Sequence, residues 1–274
     1  MLERSIPGAG VMLAAGEDGE GIAVVLLHGL TASRRYVVMG SNALQRGGHR
    51  VIAYDARGHG SSQPAPAPDA YGYDELSADL LSVLDELGLE RAVLAGASMG
   101  AHTILRVALD APERVAGLVA ITPAYDPVSS AHAARRLRRY DTLSDALREG
   151  GIDGYVAAYG VDRLPPAWRG SVETFLRQSL ARHEHLDAVA DALRALPRSR
   201  PFEDLHALEQ IECPAVVVAS RDEADPGHPL ALGEDYAALL PQGRLEVEPQ
   251  GSSPLAWQGG RLSKVIAGLA AEAW

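Results

Sequence analysis

Short apolar runs separated by helix-length segments are the feature that most restricts the fold of this 274-residue chain. The segments 73–87, 99–110 and 229–240 have the mixed apolar and charged spacing of amphipathic helices. Strands that are apolar throughout are buried on both faces, so the pattern predicts an α/β fold with a mostly parallel sheet between two layers of helices. The apolar runs occupy residues 22–27, 51–54, 92–95, 115–121, 215–219 and 245–247.

Residues 126–210 interrupt this alternation, because they contain helical patterns and no convincing strand. Half of the arginines of the chain fall in this stretch. We interpret it as an all-helical cap inserted over the C-terminal edge of the sheet, where open α/β sheets bind their ligands. The predicted core then comprises residues 1–125 and 211–274.

Composition and charge restrict the classes of partner. The net charge is −11, which argues against binding to nucleic acid or to an anionic membrane surface. No apolar run approaches the roughly 20 residues that a membrane span needs. Cys213 is the only cysteine and the N-terminus lacks the apolar region of a signal peptide, so we expect a cytoplasmic protein. We predict a small-molecule substrate and neither a metal nor a cofactor; the sequence does not indicate the oligomeric state.

A candidate nucleophile lies between the run at 92–95 and the predicted helix at 99–110. Residues 96–100 read Gly-Ala-Ser-Met-Gly, a G-x-S-x-G motif in a strand–turn–helix context. Small flanking residues let the backbone turn tightly around a serine. The following helix N-terminus favours developing negative charge. The motif therefore predicts Ser98 as the nucleophile.

The first buried run is followed by His28 and Gly29, where the backbone can aim an N–H group at a substrate oxygen. We predict that the N–H groups of Leu30 and Met99 form an oxyanion hole. His28 and Gly29 are expected beside the substrate. His28 is expected to be a structural hydrogen-bonding residue and not a base.

A third motif, Asp55-x-Arg57-Gly58-x-Gly60-Ser61, follows the second run. Together with the two motifs above, it resembles the α/β-hydrolase superfamily, and more narrowly the capped serine hydrolases. That group includes esterases, enol-lactonases, carbon–carbon bond hydrolases and cofactor-free haloperoxidases. The resemblance extends over nearly the whole chain and implies an eight-stranded, mostly parallel sheet with a cap after the sixth strand. The serine distinguishes it from the haloalkane dehalogenase and epoxide hydrolase branches, which use aspartate.

The resemblance implies a catalytic acid after the strand that follows the cap, where Asp222, Glu223 and Asp225 are candidates. The Asp-Pro-x-x-Pro sequence that begins at Asp225 resembles the usual motif and favours that residue. Counting from the strand end favours Asp222 or Glu223 instead. Asp126, after the preceding strand, is a further candidate.

The resemblance also implies a catalytic histidine after the last strand, in a Gly-His-x-Pro loop. Here the loop reads Gly251-Ser252-Ser253-Pro254, so Ser252 stands where the base is expected, and no histidine follows His228. A serine hydroxyl is a weak nucleophile without an adjacent base. General-base assistance contributes roughly 10²–10⁴-fold.

Four other histidines are possible substitutes or neighbours of the site. His228 lies three residues after Asp225 and is the best substitute. His102 follows the candidate nucleophile by one helical turn and is expected to pack into the domain. His183 and His185 are expected on a cap helix, as a solvated face or as substrate contacts.

A cluster of arginines in the cap is one indication of an acidic substrate. Adjacent doublets lie around a helix and cannot all face one pocket, so a solvated helix face is the favoured interpretation. The cluster consists of Arg135, Arg136, Arg138 and Arg139.

The leading hypothesis is a hydrolase of a small ester, thioester, lactone or related carbonyl compound, acting through Ser98 with an incomplete or relocated triad. The alternative is a non-hydrolytic lyase, cyclase, isomerase or ligand-binding protein. Such a protein would use the oxyanion hole without a complete triad.

Overall fold

The computed structural model describes residues 1–127, 130–221 and 223–274, with the side chains of residues 130–133 also outside the description. The strands are β1 Leu2–Pro7, β2 Met12–Asp18, β3 Ile22–Leu27, β4 His49–Tyr54, β5 Ala92–Ala97, β6 Val115–Ile121, β7 Ala215–Ala219 and β8 Gly243–Val247. They form a single sheet in the order β1-β2-β4-β3-β5-β6-β7-β8. The sheet is parallel from β4 to β8, while β1 and β2 join it antiparallel.

Helices cover both faces of the sheet because the central strands are apolar on both sides. Val25 belongs to one core, with Ile104 and Tyr236. Val24 belongs to the opposite core, with Ile266. The helices are α1 Ala43–Arg46, α2 Tyr73–Glu86, α3 Met99–Asp110, α4 Ser130–Tyr159, α5 Pro166–Leu180, α6 Leu186–Ala195, α7 Leu230–Leu239 and α8 Gly259–Ala273.

The described chain between β6 and β7 contains no strand and includes the helices α4, α5 and α6. Gly151 interrupts α4 with a φ of +57°. These helices have a separate apolar core, in which Leu147, Leu180 and Leu193 are buried. The predicted fold class, with a helical insertion after the sixth strand, is thereby confirmed. The proposed boundaries at residues 126 and 210 stay a prediction.

Candidate active site

Ser98 lies on the turn between β5 and α3, as the motif predicts. Its φ of +48° and ψ of −107° place it in a conformation that residues with a side chain rarely adopt. A Cβ atom on Gly96 would lie 2.2 Å from the carbonyl oxygen of Gly100, and one on Gly100 would lie 2.4 Å from that of Leu27. Both glycines are therefore required by close backbone packing around the serine.

The imidazole of His228 contacts Ser98. The Nε2 atom of His228 lies 2.9 Å from Ser98 Oγ, and its Nδ1 atom lies 2.7 Å from Oδ2 of Asp225. The His228 N–H also donates to the carbonyl of Asp225 at 3.1 Å, which closes a tight turn between the two residues. The loop between β7 and α7 thus brings a carboxylate and an imidazole to the serine.

The direction of each hydrogen bond follows from the donors available. An ionised carboxylate only accepts, so His228 Nδ1–H donates to Asp225 and Nε2 is free to accept the Ser98 hydroxyl proton. Burial opposes protonation of His228, but the charge of Asp225 and its hydrogen bond outweigh burial and raise the pKa of the imidazole. Burial likewise acts to raise the pKa of Asp225, and the nearby imidazole outweighs it and lowers that pKa.

The candidates for the catalytic acid differ in burial and in contact with His228. Asp225 is the described carboxylate that contacts His228. Glu223 is exposed to solvent, and Asp126 is half-buried after β6. Asp222 lies outside the described residues.

The two residues of the predicted oxyanion hole border the same cavity as Ser98. Met99 is the first residue of α3, so its N–H has no acceptor within the helix. Leu30 lies in the turn after β3, next to Thr31, which has a φ of +67°. Strain at Thr31 indicates that contacts elsewhere hold this turn in place.

The cap supplies those contacts through the carbonyl oxygen of Thr31. Ser179 Oγ, on α5, donates to this oxygen at 2.8 Å, and His183 Nε2 donates to it at 3.0 Å. The other ring nitrogen of His183 accepts the N–H of Gly60 at 2.8 Å. His183 thus ties the cap to two loops of the core, and burial is the main cause that lowers its pKa to about 4.

The structure therefore corrects the expectation for the cap histidines. His183 and His185 lie in the loop between α5 and α6 and not on a helix. His183 is buried, whereas His185 is exposed. Neither forms part of the cavity walls described below.

His28 has a structural position and offers no ring nitrogen to a substrate. Its Nε2 atom accepts the N–H of Ala56 at 2.9 Å, and its Nδ1 atom donates to the carbonyl of Gly29 at 2.8 Å. Burial, the largest cause, lowers its pKa, so the ring is neutral. The expectation that His28 contacts substrate is not met here, while Gly29 does line the larger cavity.

His102 is buried, as expected, and orients a tyrosine that sequence reasoning missed. Its Nε2 atom accepts the N–H groups of Ala124 and Tyr125 at 3.0 and 3.1 Å. Its Nδ1 atom must therefore carry the hydrogen and donate to the hydroxyl of Tyr73 at 3.0 Å. Burial, with the charges of His228 and Arg136, lowers the pKa of His102 to about 3 and keeps this neutral form.

The loop that contains Ser252 is held by a buried glutamate. Glu248 accepts the N–H of Arg221 at 2.8 Å and that of Leu255 at 3.0 Å. The N–H of Ser252 donates to the carbonyl of Pro249 at 3.1 Å, which closes a turn. Gly251, inside this turn, has a φ of +78°. Ser252 does not line either cavity beside Ser98, in the part of the chain that is described.

Two cavities meet at Ser98. The larger has about 1190 Å³ of empty space, partly open to solvent, and includes His228 and Asp225 in its wall. The smaller has about 460 Å³ and includes Met99 and Arg136. Arg139 also lines the larger cavity, and its charge acts on the carboxylate of Asp225 in the same wall. The aromatic side chains of the larger cavity are Tyr36, Tyr140, Tyr155, Tyr159, Phe175 and Trp257.

Among the described residues, no group of three or more His, Cys, Asp or Glu side chains is arranged to hold a metal ion. None of the helices in the described ranges has the length and apolar character needed to cross a membrane.

Comparison with known proteins gives matches over most of the chain. The family model for the alpha/beta hydrolase fold matches residues 22–258. A candidate carbamate hydrolase of Variovorax paradoxus, RutD, is 33% identical over 208 residues, which cover 76% of this chain and 75% of that protein. A 2-hydroxy-6-oxononadienedioate/2-hydroxy-6-oxononatrienedioate hydrolase of Paraburkholderia phymatum is 32% identical over 215 residues, covering 75% of this chain and 70% of that protein.

Similarity to solved structures covers more of the chain than similarity to the two relatives in sequence does. A thermophilic esterase from Thermogutta terrifontis superposes with a TM-score of 0.79 and covers 100% of this chain and 99% of that chain. Its sequence is 24% identical, so this likeness shows the fold.

Proposed function

This chain belongs to the alpha/beta hydrolase fold family, and we propose that it is a serine hydrolase of small esters, thioesters, lactones or related carbonyl compounds. In this proposal Ser98 is the nucleophile, His228 the general base and Asp225 the acid that orients it. The base has moved from the loop after the last strand to the loop that carries the acid. The relatives named above are hydrolases, which supports the reaction class.

The observation that carries the proposal is the continuous hydrogen-bonded path from Ser98 Oγ through the imidazole of His228 to Asp225, with contacts of 2.9 and 2.7 Å. A nucleophile within reach of a base, and a base oriented by a third group, is the arrangement that activates a serine. It depends on geometry and not on the order of residues along the chain.

Acylation begins when Ser98 Oγ attacks the carbonyl carbon and its proton passes to His228 Nε2. The carbonyl π electrons move to oxygen, and the resulting oxyanion accepts hydrogen bonds from the N–H groups of Leu30 and Met99. When the tetrahedral intermediate collapses, the bond to the leaving group breaks. His228 returns the proton to the leaving group, and the acyl group stays on Ser98.

Deacylation repeats these steps with water as the nucleophile. His228 takes one proton from water as the oxygen attacks the acyl carbon, and returns it to Ser98 Oγ as the ester bond breaks. Asp225 remains ionised and stabilises the imidazolium in both stages. The product is a carboxylic acid, and the free serine is regenerated.

A burst experiment tests this function. With p-nitrophenyl acetate in excess, we expect a rapid release of one p-nitrophenol per enzyme molecule, and an acetyl group on Ser98 by mass spectrometry of the quenched protein. Ser98→Ala should abolish both signals. Turnover that persists in Ser98→Ala, or an acetyl group on another residue, contradicts the proposal.

The non-hydrolytic alternative rests on the absence of a histidine from the loop at residues 251–254. The contact between His228 and Ser98 weakens the argument for this alternative, because an imidazole lies at hydrogen-bonding distance from the serine.

A further inference from the structure

The smaller cavity at Ser98 has a cationic side chain in its wall. Arg136 lines it, while none of the described residues in its wall is a carboxylate. The Nε atom of Arg136 is buried without a hydrogen-bond partner, and Arg136 takes part in none of the ion pairs between described residues. The guanidinium lies over the ring of Tyr125, with 5.7 Å between its carbon and the ring centroid, but the ring carries no negative charge. A half-buried guanidinium without a carboxylate partner among the described residues is costly, so this cavity is suited to an anionic group.

Tyr73 adds a hydrogen-bond donor to the same wall. Its hydroxyl accepts from His102 Nδ1–H, which leaves its own hydrogen available to a ligand. Ser199 Oγ accepts the N–H of Tyr73 at 2.9 Å, so its hydroxyl hydrogen is also available. One positive charge and two neutral donors match a group with one negative charge, such as a carboxylate.

The position of His228 indicates which part of the substrate this cavity receives. His228 lines the larger cavity and is absent from the described wall of the smaller one. Because the base must hand its proton to the leaving group, the leaving group belongs on the side of His228. The smaller cavity, bordered by Ser98 and Met99, is then left for the acyl group.

We propose that the smaller cavity is an acyl subsite for short dicarboxylic acids, in which Arg136 and Tyr73 bind the distal carboxylate. The substrate would be a half-ester or related half-acyl compound of such an acid, with an apolar leaving group in the aromatic larger cavity. This inference rests on the proposed function for the orientation of the substrate. The recognition of a carboxylate rests on Arg136 itself.

Two matched esters test the subsite by kinetics. Mono-p-nitrophenyl glutarate carries the distal carboxylate, and p-nitrophenyl hexanoate is a neutral ester of similar length. We expect a higher kcat/KM for the glutarate ester, and a fall of about 10- to 100-fold in the ratio of the two kcat/KM values in Arg136→Gln. Arg135→Gln removes the same charge from an exposed position and should leave the ratio unchanged.

Binding to the inactive variant separates this proposal from the hydrolytic function. In calorimetry, Ser98→Ala should bind the glutarate ester about 10- to 100-fold more tightly than Ser98→Ala/Arg136→Gln does. Suppose that both esters are hydrolysed without preference and that Ser98→Ala/Arg136→Gln binds the glutarate ester as tightly as Ser98→Ala does. The proposed subsite is then overturned, and the proposed hydrolase function stands. If Arg136-dependent binding is found without hydrolysis of either ester, the subsite stands and the hydrolase is overturned.

Discussion

His228 Nε2 lies 2.9 Å from Ser98 Oγ although the two residues are 130 positions apart, whereas His228 and its partner Asp225 are separated by three positions. The acid and the base therefore share one loop, between β7 and α7. The loop after β8, which contains Ser252, does not reach the cavities beside Ser98 in the described structure.

The dependence of the rate on pH should report the pairing of His228 with Asp225. His228 must be neutral to act as a base, so kcat/KM should rise with pH through the pKa of His228. Because Asp225 raises that pKa, the acidic limb should lie above the ordinary histidine value of about 6.5. A pH–rate profile checks this.

Asp225→Asn removes the charge that raises the pKa of His228 and leaves the opposing effect of burial. The acidic limb should move to lower pH, and kcat should fall roughly 10²–10⁴-fold because the imidazole loses its orienting partner. Glu223→Gln, the same charge change at an exposed position of that loop, should alter neither. An unmoved limb in Asp225→Asn would count against the pairing.

Placing a histidine at position 252 should not increase activity. Ser252 is outside the cavity walls, and His228 already contacts Ser98. The esterase rate of Ser252→His should therefore equal that of the unaltered protein, as measured with p-nitrophenyl acetate. A large gain in rate would show that the base belongs on the last loop and that His228 does not serve as one.

Loss of the cap contact at Thr31 should reduce kcat more than it changes KM. Ser179→Ala removes one of the two side-chain donors to the Thr31 carbonyl and frees the strained turn that presents the Leu30 N–H. A complete loss of an oxyanion donor costs about 10²–10³-fold in kcat, so a loosened one should cost about 10-fold. Steady-state kinetics measures both constants.

Ser171→Ala is the matched control for this prediction, since Ser171 is an exposed serine on the same helix. It should leave both constants unchanged. Equal kinetics for Ser179→Ala and the unaltered protein would show that the cap does not support the oxyanion turn.

Glu248 should contribute to stability through the two backbone N–H groups that it accepts, those of Arg221 and Leu255. Glu248→Ala leaves these donors without their acceptor and should lower the free energy of unfolding by about 1–3 kcal/mol. Glu246→Ala changes an exposed carboxylate of the same strand and should have little effect. Urea unfolding curves of the two variants decide whether this difference exists.

The central part of the fold follows from the sequence because buried strands read as apolar runs. The limits of β3, β6, β7 and α3 coincide with the predicted segments. The apolar pattern marks neither β1 nor β2, since β1 reads Leu-Glu-Arg-Ser-Ile-Pro and exposes five of its six residues. A strand at the edge of a sheet leaves no continuous apolar signal.

The site was only partly predictable for a different reason. The turn at Ser98 has a local pattern, so its position follows from sequence. The pairing of His228 with Ser98 depends on a tertiary contact between residues that are 130 positions apart. The solvated helix face predicted for the run of arginines is wrong for Arg136, which is half-buried and lines the smaller cavity, while Arg135 is exposed. Only the packed cap distinguishes these two neighbours.

The rate at which a fluorophosphonate probe labels Ser98 tests most directly whether His228 is the base. We expect labelling at Ser98 in the unaltered protein, and a rate lower by about 10²–10⁴-fold in His228→Ala and in His228→Gln, with thermal unfolding showing that both variants are folded. Labelling of Ser98 at an unchanged rate in these folded variants would contradict the account.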